Sequence, residues 1–299
     1  MPQRERACIL AELTPPYVVI EPVEQTSPFV FCSPHSGNIY PTVFLERSRL
    51  DAHTLRKSED CFVDELFGDV ASLGAPLIAA RFPRAYLDVN REPYELDPEL
   101  FDEPLPAFAN TQTMRVAGGL GTLARIVADG EEIYREPLPL GVAMERIERL
   151  YKPFHARIAE LLERTHRRFG VAILVDCHSM PSASMNHVSG GRPDFVIGDR
   201  FGASCDAKVP RLFREIITHC GYQVQLNRPY AGGFITEHYG RPFKGIHALQ
   251  IEINRGLYLN ETKLTRTAGF DRLKRNLTQI MARIFAELPP ILAPRAAAE

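Results

Sequence analysis

The chain has 299 residues, 45% hydrophobic and 24% charged, and its 35 Lys and Arg against 37 Asp and Glu leave a formal charge of −2. That length supports a large core without disulfides or a structural metal. The composition excludes a disordered or fibrous chain, and the near-neutral balance excludes the basic footprint of a nucleic-acid binder. No apolar run approaches the ~18 residues of a membrane span and the opening segment lacks an apolar signal core, so a cytoplasmic protein is expected, with neither membrane nor nucleic acid as partner. Six cysteines stand singly, without a C-x-x-C pair, which suits buried thiols better than disulfides or a zinc finger.

In chain order, residues 1–27, with Pro15, Pro16 and Pro22, are expected to form a lead-in, and 289–299 a frayed tail. No linker, repeat or low-complexity tract lies between them, so 1–299 is taken as one domain. Residues 29–32, 76–80, 171–175 and 248–253 are short apolar runs with the residue types of strands. The 171–175 run lacks polar alternation and suits a strand covered on both faces. Three apolar stripes predict helices: Phe62, Val63, Leu66, Phe67 and Val70; Ile147 through Leu162, ending near Gly170; and Leu273, Leu277, Ile280, Ile284 and Phe285. Pro153 should kink or split the second. Strands alternating with helices argue for an α/β sandwich on a largely parallel sheet, with ligands beyond the carboxyl ends of the strands.

Chemistry gathers at those ends. The 29–32 strand leads into Ser33-Pro34-His35-Ser36-Gly37, and the 171–175 strand into Asp176-Cys177-His178-Ser179. Two histidines held by rigid elements are candidate metal ligands. A catalytic zinc takes three protein ligands and keeps one position open. The third is expected from Glu59, Asp60 or Asp64, where an acidic cluster opens a helix and places Asp60 and Asp64 on one face; the ordinary alternative is a solvated first turn that complements the helix dipole. Asp176 is placed to accept the free ring N–H of a ligating histidine. In Gln250-Ile251-Glu252-Ile253-Asn254, alternation puts Gln250, Glu252 and Asn254 on one face. A glutamate in an apolar strand is costly unless ion-paired or functional, and a general base beside a metal-activated water is such a function. Asn254, on the same face, is expected to support the site. Asn90-Arg91 ends another strand-like run, and an arginine fork there fits a carboxylate. The Gly-bracketed stretch 232–240 is a candidate lid or pocket wall, whereas Gly118–Thr122 lacks the spacing of a dinucleotide fingerprint.

The motifs P-H-S-G (34–37), E-D-C-F-V-D-E-L-F (59–67), D-V-N-R-E-P (88–93), D-C-H-S-M (176–180), R-P-D-F (192–195), G-G-F-I-T-E-H-Y-G-R-P (232–242) and H-A-L-Q-I-E-I-N-R (247–255) arrive in an order that resembles the N-formylglutamate amidohydrolase family. The resemblance implies a three-layer α/β/α sandwich with a mixed, largely parallel sheet, of zinc carboxypeptidase-like type. It further implies His35 and His178 as zinc ligands with Asp60 the best-matching third, Glu252 as base and acid, and Asn90 and Arg91 holding a substrate carboxylate. One departure is Asn38, which stands where carboxypeptidases carry their acidic ligand, three residues after the first histidine.

The implied reaction is Zn2+-dependent hydrolysis of a small acidic N-acyl amino acid, N-formyl-L-glutamate foremost, with Arg91, Arg192 and Arg228 as cations for its carboxylates. A deacylase or carboxypeptidase acting on another acyl amino acid or a peptide is the second reading. A non-catalytic module that binds an acidic metabolite is the third.

Overall fold

The computed structural model describes residues 2–127, 130–185 and 192–292. In chain order come α1 (Pro2–Glu12), β1 (Tyr17–Ile20), β2 (Phe29–Ser33), α2 (Thr42–Arg47), α3 (Ala52–Arg56), α4 (Val63–Phe67) and β3 (Leu77–Ala80). There follow α5 (Met114–Ala117), α6 (Leu140–Arg146), α7 (Lys152–Phe169), β4 (Ala172–Met180), β5 (Phe195–Gly198), α8 (Lys208–His219), β6 (Val224–Leu226) and α9 (Phe234–Tyr239). The chain closes with β7 (Ile246–Asn254), a small hairpin of β8 (Leu259–Asn260) and β9 (Thr265–Arg266), and α10 (Gly269–Leu292).

The main sheet has the order β1-β3-β2-β4-β7-β5-β6. Strands β3, β2, β4 and β7 run parallel to one another, with β1 antiparallel on one side and β5 antiparallel to β7 on the other. Helices pack on both faces, as the α/β expectation required. The apolar strand runs divide by parity: Val30, Cys32, Ala172, Leu174 and Ala248 enter the core under α6 and α7, while Phe29, Phe31, Ile173, Val175, Leu249 and Ile251 enter the core under α4, α8 and α10. Both faces being dry, the strands lack polar alternation.

Two expectations change and a third is met. The segment 1–27 is no mere lead-in, because it supplies α1 and the edge strand β1, each of whose four residues pairs with β3. Helix α10 continues through Pro289 and Pro290 to Leu292, and 293–299 lie outside the described residues. The helical stretch around Pro153 does split, and it does so through a π-helical turn, Ile147–Tyr151, between α6 and α7. Proline lacks the N–H that would bond one turn back, and the wider turn accommodates that. Gly170 then stops α7 with φ of 71°. Among the described residues no helix is long and apolar enough to cross a membrane.

Helix α1 is held by a buried ion pair. Arg146 Nε donates to Glu5 Oε1 at 2.6 Å with both side chains fully buried, the Tyr86 hydroxyl donates to the same oxygen at 2.6 Å, and the guanidinium lies 3.9 Å over the Tyr86 ring. Burial pushes the Glu5 carboxyl up, but Arg146 and Tyr86 outweigh it and hold it below its ordinary value. Removing one member strands the other charge in the core, so Glu5→Gln should lower stability by about 3–5 kcal/mol at neutral pH. A depressed carboxyl stabilises above its unfolded pKa and loses that contribution as pH falls through the folded one. The gap between wild type and variant in urea melts should therefore be widest at pH 7 and close in acid.

Candidate active site

The polar cluster begins where the core ends. On the α7 face of β4, Ala172 and Leu174 are followed by Asp176 and His178. On the same face of β7, Ala248 is followed by Gln250 and Glu252. The parallel register sets Asp176 beside Gln250 and His178 beside Glu252. His178 thus lies inside β4, which runs on to Met180, and not in a turn after it.

His35 arrives from the turn after β2. Gly37 is required there, since a Cβ would sit 2.2 Å from the Phe82 carbonyl oxygen. Asp60 arrives from the loop between α3 and α4, three residues before α4 begins, so it does not share a helix face with Asp64 as expected. Its backbone N–H donates to the His35 carbonyl at 3.0 Å. Among the described residues, His35, Asp60 and His178 form a buried group whose possible ligand atoms all lie within 4.8 Å of one another.

The orientation of the rings is specific. His35 Nε2 is 2.7 Å from Asp88 Oδ1, and His178 Nε2 is 3.0 Å from Asp176 Oδ1. Both Nδ1 atoms therefore turn toward Asp60 Oδ2, at 3.0 Å from His178 and 3.5 Å from His35. The other Asp60 oxygen accepts from Arg255 Nη2 at 3.0 Å and Ser179 Oγ at 3.3 Å. His35 Nδ1 is buried and has no hydrogen-bond partner among the described residues, an uncompensated polar atom unless a ligand meets it. The chemistry of two imidazole nitrogens and one carboxylate oxygen, each braced from behind, fits a divalent ion such as Zn2+. The electrostatics agree: burial alone would drive the proton from His178, yet Asp176, Asp60 and Glu252 outweigh it and raise its pKa well above normal, so the surroundings favour positive charge. Glu59 is spent on Arg56 and the Tyr40 hydroxyl, and Asp64, pushed up to about 6 by burial, lies outside the cluster.

Two amide side chains link the cluster to α9. Asn90 Oδ1 accepts the Ile235 N–H at 2.8 Å, which directs its NH2 group at Asp176 Oδ2 (3.2 Å), with the same nitrogen 3.0 Å from His178 Nε2. Gln250 Oε1 accepts the Gly233 N–H at 2.8 Å, which directs its NH2 group at Glu252 Oε1 (2.9 Å). The stretch 232–240, expected as a lid or wall, thus orients the residues behind the site. Beneath the 88–91 loop, His155 Nε2 donates to the Val89 carbonyl at 2.8 Å and the Tyr151 hydroxyl to the Arg91 carbonyl at 2.7 Å. Burial lowers His155 to about 4, so it is a neutral brace.

Asp60 and His178 of the cluster line a cavity of about 490 Å³. Glu252 lines it, pushed up to about 7 chiefly by burial and by the Asp60 charge against the pull of His178. The cations in its wall are Lys57, Arg84 and Arg255, none of which the sequence reading singled out, and Leu120, Ala124 and Ile126 supply an apolar wall. The expected cations lie elsewhere. Arg91 donates to the Leu120 and Asn90 carbonyls and does not line the cavity, while Arg192 and Arg228 are exposed and outside its lining. Asn90 supports His178 instead of facing a ligand, and Asn254 bonds Ser182, Gly256 and the Pro193 carbonyl, away from the cluster. A signal for Arg84 was present: it stands four residues before Asp88 and donates to its Oδ2 at 2.8 Å.

Fold and site together define an α/β protein with a buried two-histidine, one-carboxylate centre at the carboxyl ends of its parallel strands. The chain belongs to the N-formylglutamate amidohydrolase family, whose model matches residues 27–259. It is 30% identical over 239 residues to N-formylglutamate deformylase of Pseudomonas putida, covering 79% of this chain and 83% of that protein. It is 33% identical over 241 residues to the protein of the same name from Pseudomonas aeruginosa, covering 78% and 83%. The crystal structure of N-formylglutamate amidohydrolase from Ralstonia eutropha JMP134 superposes with a TM-score of 0.87 at 34% identity, over 92% of this chain and 99% of that one.

A Cβ on Gly233 would lie 2.5 Å from the Asn90 amide. Gly233→Ala should therefore displace Asn90 and lower whatever affinity the His35–Asp60–His178 group has for a divalent ion by about 10–100-fold. Competition with a fluorescent chelator measures this, and the metal-free melting temperature should move little.

Proposed function

We propose that this protein is a metal-dependent amidohydrolase that cleaves N-formyl-L-glutamate to formate and L-glutamate. The observation that carries the reading is the convergence of two carboxylate-braced Nδ1 atoms and Asp60 Oδ2 on one point, with Glu252 beside His178 in the next strand. The names of the relatives support the substrate.

His35, His178 and Asp60 would hold the ion, Zn2+ in this reading. Bound there, it supplies Lewis acidity, polarising a carbonyl oxygen and easing ionisation of a water. Glu252 does the proton work. Its Oε1 is occupied by Gln250, and Oε2 has no hydrogen-bond partner among the described residues, so one oxygen is held while the other serves the cavity. A carboxyl poised near neutral pH takes a proton from the attacking water as its oxygen bonds to the formyl carbon, then gives it to the amine nitrogen as the C–N bond breaks. Arg84, fixed by one nitrogen to Asp88, keeps further donors for the developing oxyanion or the neighbouring carboxylate.

Glu252→Gln keeps size and shape and removes the proton acceptor. The variant should bind zinc as wild type does, yet lose about 10²–10⁴-fold in kcat, read as formate released from N-formylglutamate. Dialysis against a chelator should abolish turnover and added Zn2+ restore it. A metal-free preparation with full activity, or a Glu252→Gln enzyme near the wild-type rate, would remove the proposal.

A further inference from the structure

We infer that Lys57 determines side-chain specificity: its ammonium takes the distal carboxylate of the substrate and selects acidic N-acyl amino acids over neutral ones of the same shape. The inference rests on the amidohydrolase reading for the identity of the substrate, and on the cavity's own charges for the role of the residue.

Among the described residues three cations line the cavity, and they differ in how far they are committed. Arg255 is consumed, since its guanidinium donates to Asp60 Oδ1 at 3.0 Å, Ser179 Oγ at 3.2 Å and the Lys57 carbonyl at 3.0 Å. Arg84 is half committed, with one nitrogen on Asp88 Oδ2, and that contact ties it to the His35 side of the cluster. Lys57 has no acidic partner within ion-pair distance among the described residues. Nearby acids are already engaged: Glu59 by Arg56, Asp60 by Arg255, and Asp88 by His35 and Arg84.

Its backbone is nevertheless fixed. Lys57 caps the end of α3, its N–H donates to the Thr54 carbonyl at 3.2 Å, and its own carbonyl is gripped by Arg255. Lys57, half-buried on an anchored backbone, is thus a lining residue of the cavity whose ammonium has no ion-pair partner among the described residues. N-formylglutamate carries two carboxylates, one beside the scissile amide and one at the end of two methylenes. Arg84, beside the cluster, is placed for the near one. Lys57 is the remaining cation with donors to offer the far one, and the apolar wall of Leu120 and Ile126 suits the methylenes between. Lysine's flexible stem and three donors suit a carboxylate whose position varies with side-chain rotamer.

The test uses zinc-loaded protein titrated calorimetrically with L-glutamate and with L-glutamine, ligands that need no turnover. Wild type should bind glutamate about tenfold or more tightly than glutamine, a factor typical of one charged hydrogen bond. Lys57→Met should lose that preference by weakening glutamate alone, and Lys57→Arg should recover part of it. In turnover, Lys57→Met should raise KM for N-formylglutamate by about the same factor with kcat within about twofold, and leave N-formylglutamine unchanged. Equal glutamate affinity in wild type and Lys57→Met, or equal weakening of both ligands, overturns the inference. Selective glutamate binding that depends on Lys57, without any formate release, upholds it and defeats the amidohydrolase reading instead.

Discussion

An imidazole has two nitrogens, and this site depends on using each for one purpose. Nε2 of His35 and of His178 faces a buried carboxylate, Asp88 and Asp176 respectively, which turns both Nδ1 atoms toward Asp60. Flipping either ring would put Cε1 where Nε2 meets the carboxylate and Cδ2 where Nδ1 faces Asp60, and break the convergence. Asp88 and Asp176 are themselves buried, and buried carboxylates are costly unless their oxygens are filled. Asp88 is satisfied by Arg84 and the Asn90 N–H; Asp176 Oδ2 accepts from the Asn90 amide, while its Oδ1 has no hydrogen-bond partner among the described residues and lies 3.0 Å from His178 Nε2. Asn90 thus serves both sides, and its own amide orientation is set by the N–H of Ile235 in α9.

The sheet explains how so many polar groups are gathered in one dry place. In β4 and β7 one side-chain parity is apolar from Ile173 to Cys177 and from Leu249 to Ile253, while the other changes from core residues to Asp176, His178, Gln250 and Glu252. Parallel pairing then aligns the changed positions across adjacent strands. The helices on that face brace the loops at the strand ends: α7 through Tyr151 and His155 under the 88–91 loop, α9 through Gly233 and Ile235. Positions are thereby held from rigid elements, as a site that must keep ligand geometry requires.

Much of this was legible in the amino-acid sequence, and the part that was not has a common physical reason. The four apolar runs became β2, β3, β4 and β7, and the candidate ligands His35, Asp60 and His178 converge. Those features are local, written in periodicity and in the residues that follow a strand. The edge strands β1 and β6 and the interior strand β5 were missed; β1 and β5 have four residues and β6 three, which leaves little period to read. Helix α4 was expected to include Asp60, but its start is displaced by Phe62, whose φ of 64° turns the chain before the helix begins. The expected arginines are absent from the cavity lining for a different reason: an arginine's place depends on which distant carbonyl or carboxylate it meets. Arg91 meets Leu120, and Arg255 meets Lys57, 198 residues away. No spacing rule encodes such contacts.

That difference between committed and free cations organises the cavity. A guanidinium with five donors in a planar fork can knit several acceptors at once, and Arg255 does so, joining the Asp60 carboxylate, the Ser179 hydroxyl and the α3 end into one wall. Its charge is thereby balanced, and little of its field is left for a ligand. An ammonium in the same wall without a carboxylate keeps its field for whatever enters. Apolar neighbours such as Leu120 and Ile126 strengthen that field by displacing water. Arg255 also holds the backbone of Lys57, a second cation of the cavity lining, through its carbonyl. A change at Arg255 would disturb Asp60 and Lys57 together, whereas a change at the Lys57 side chain leaves the Arg255 contacts, which use its carbonyl, in place.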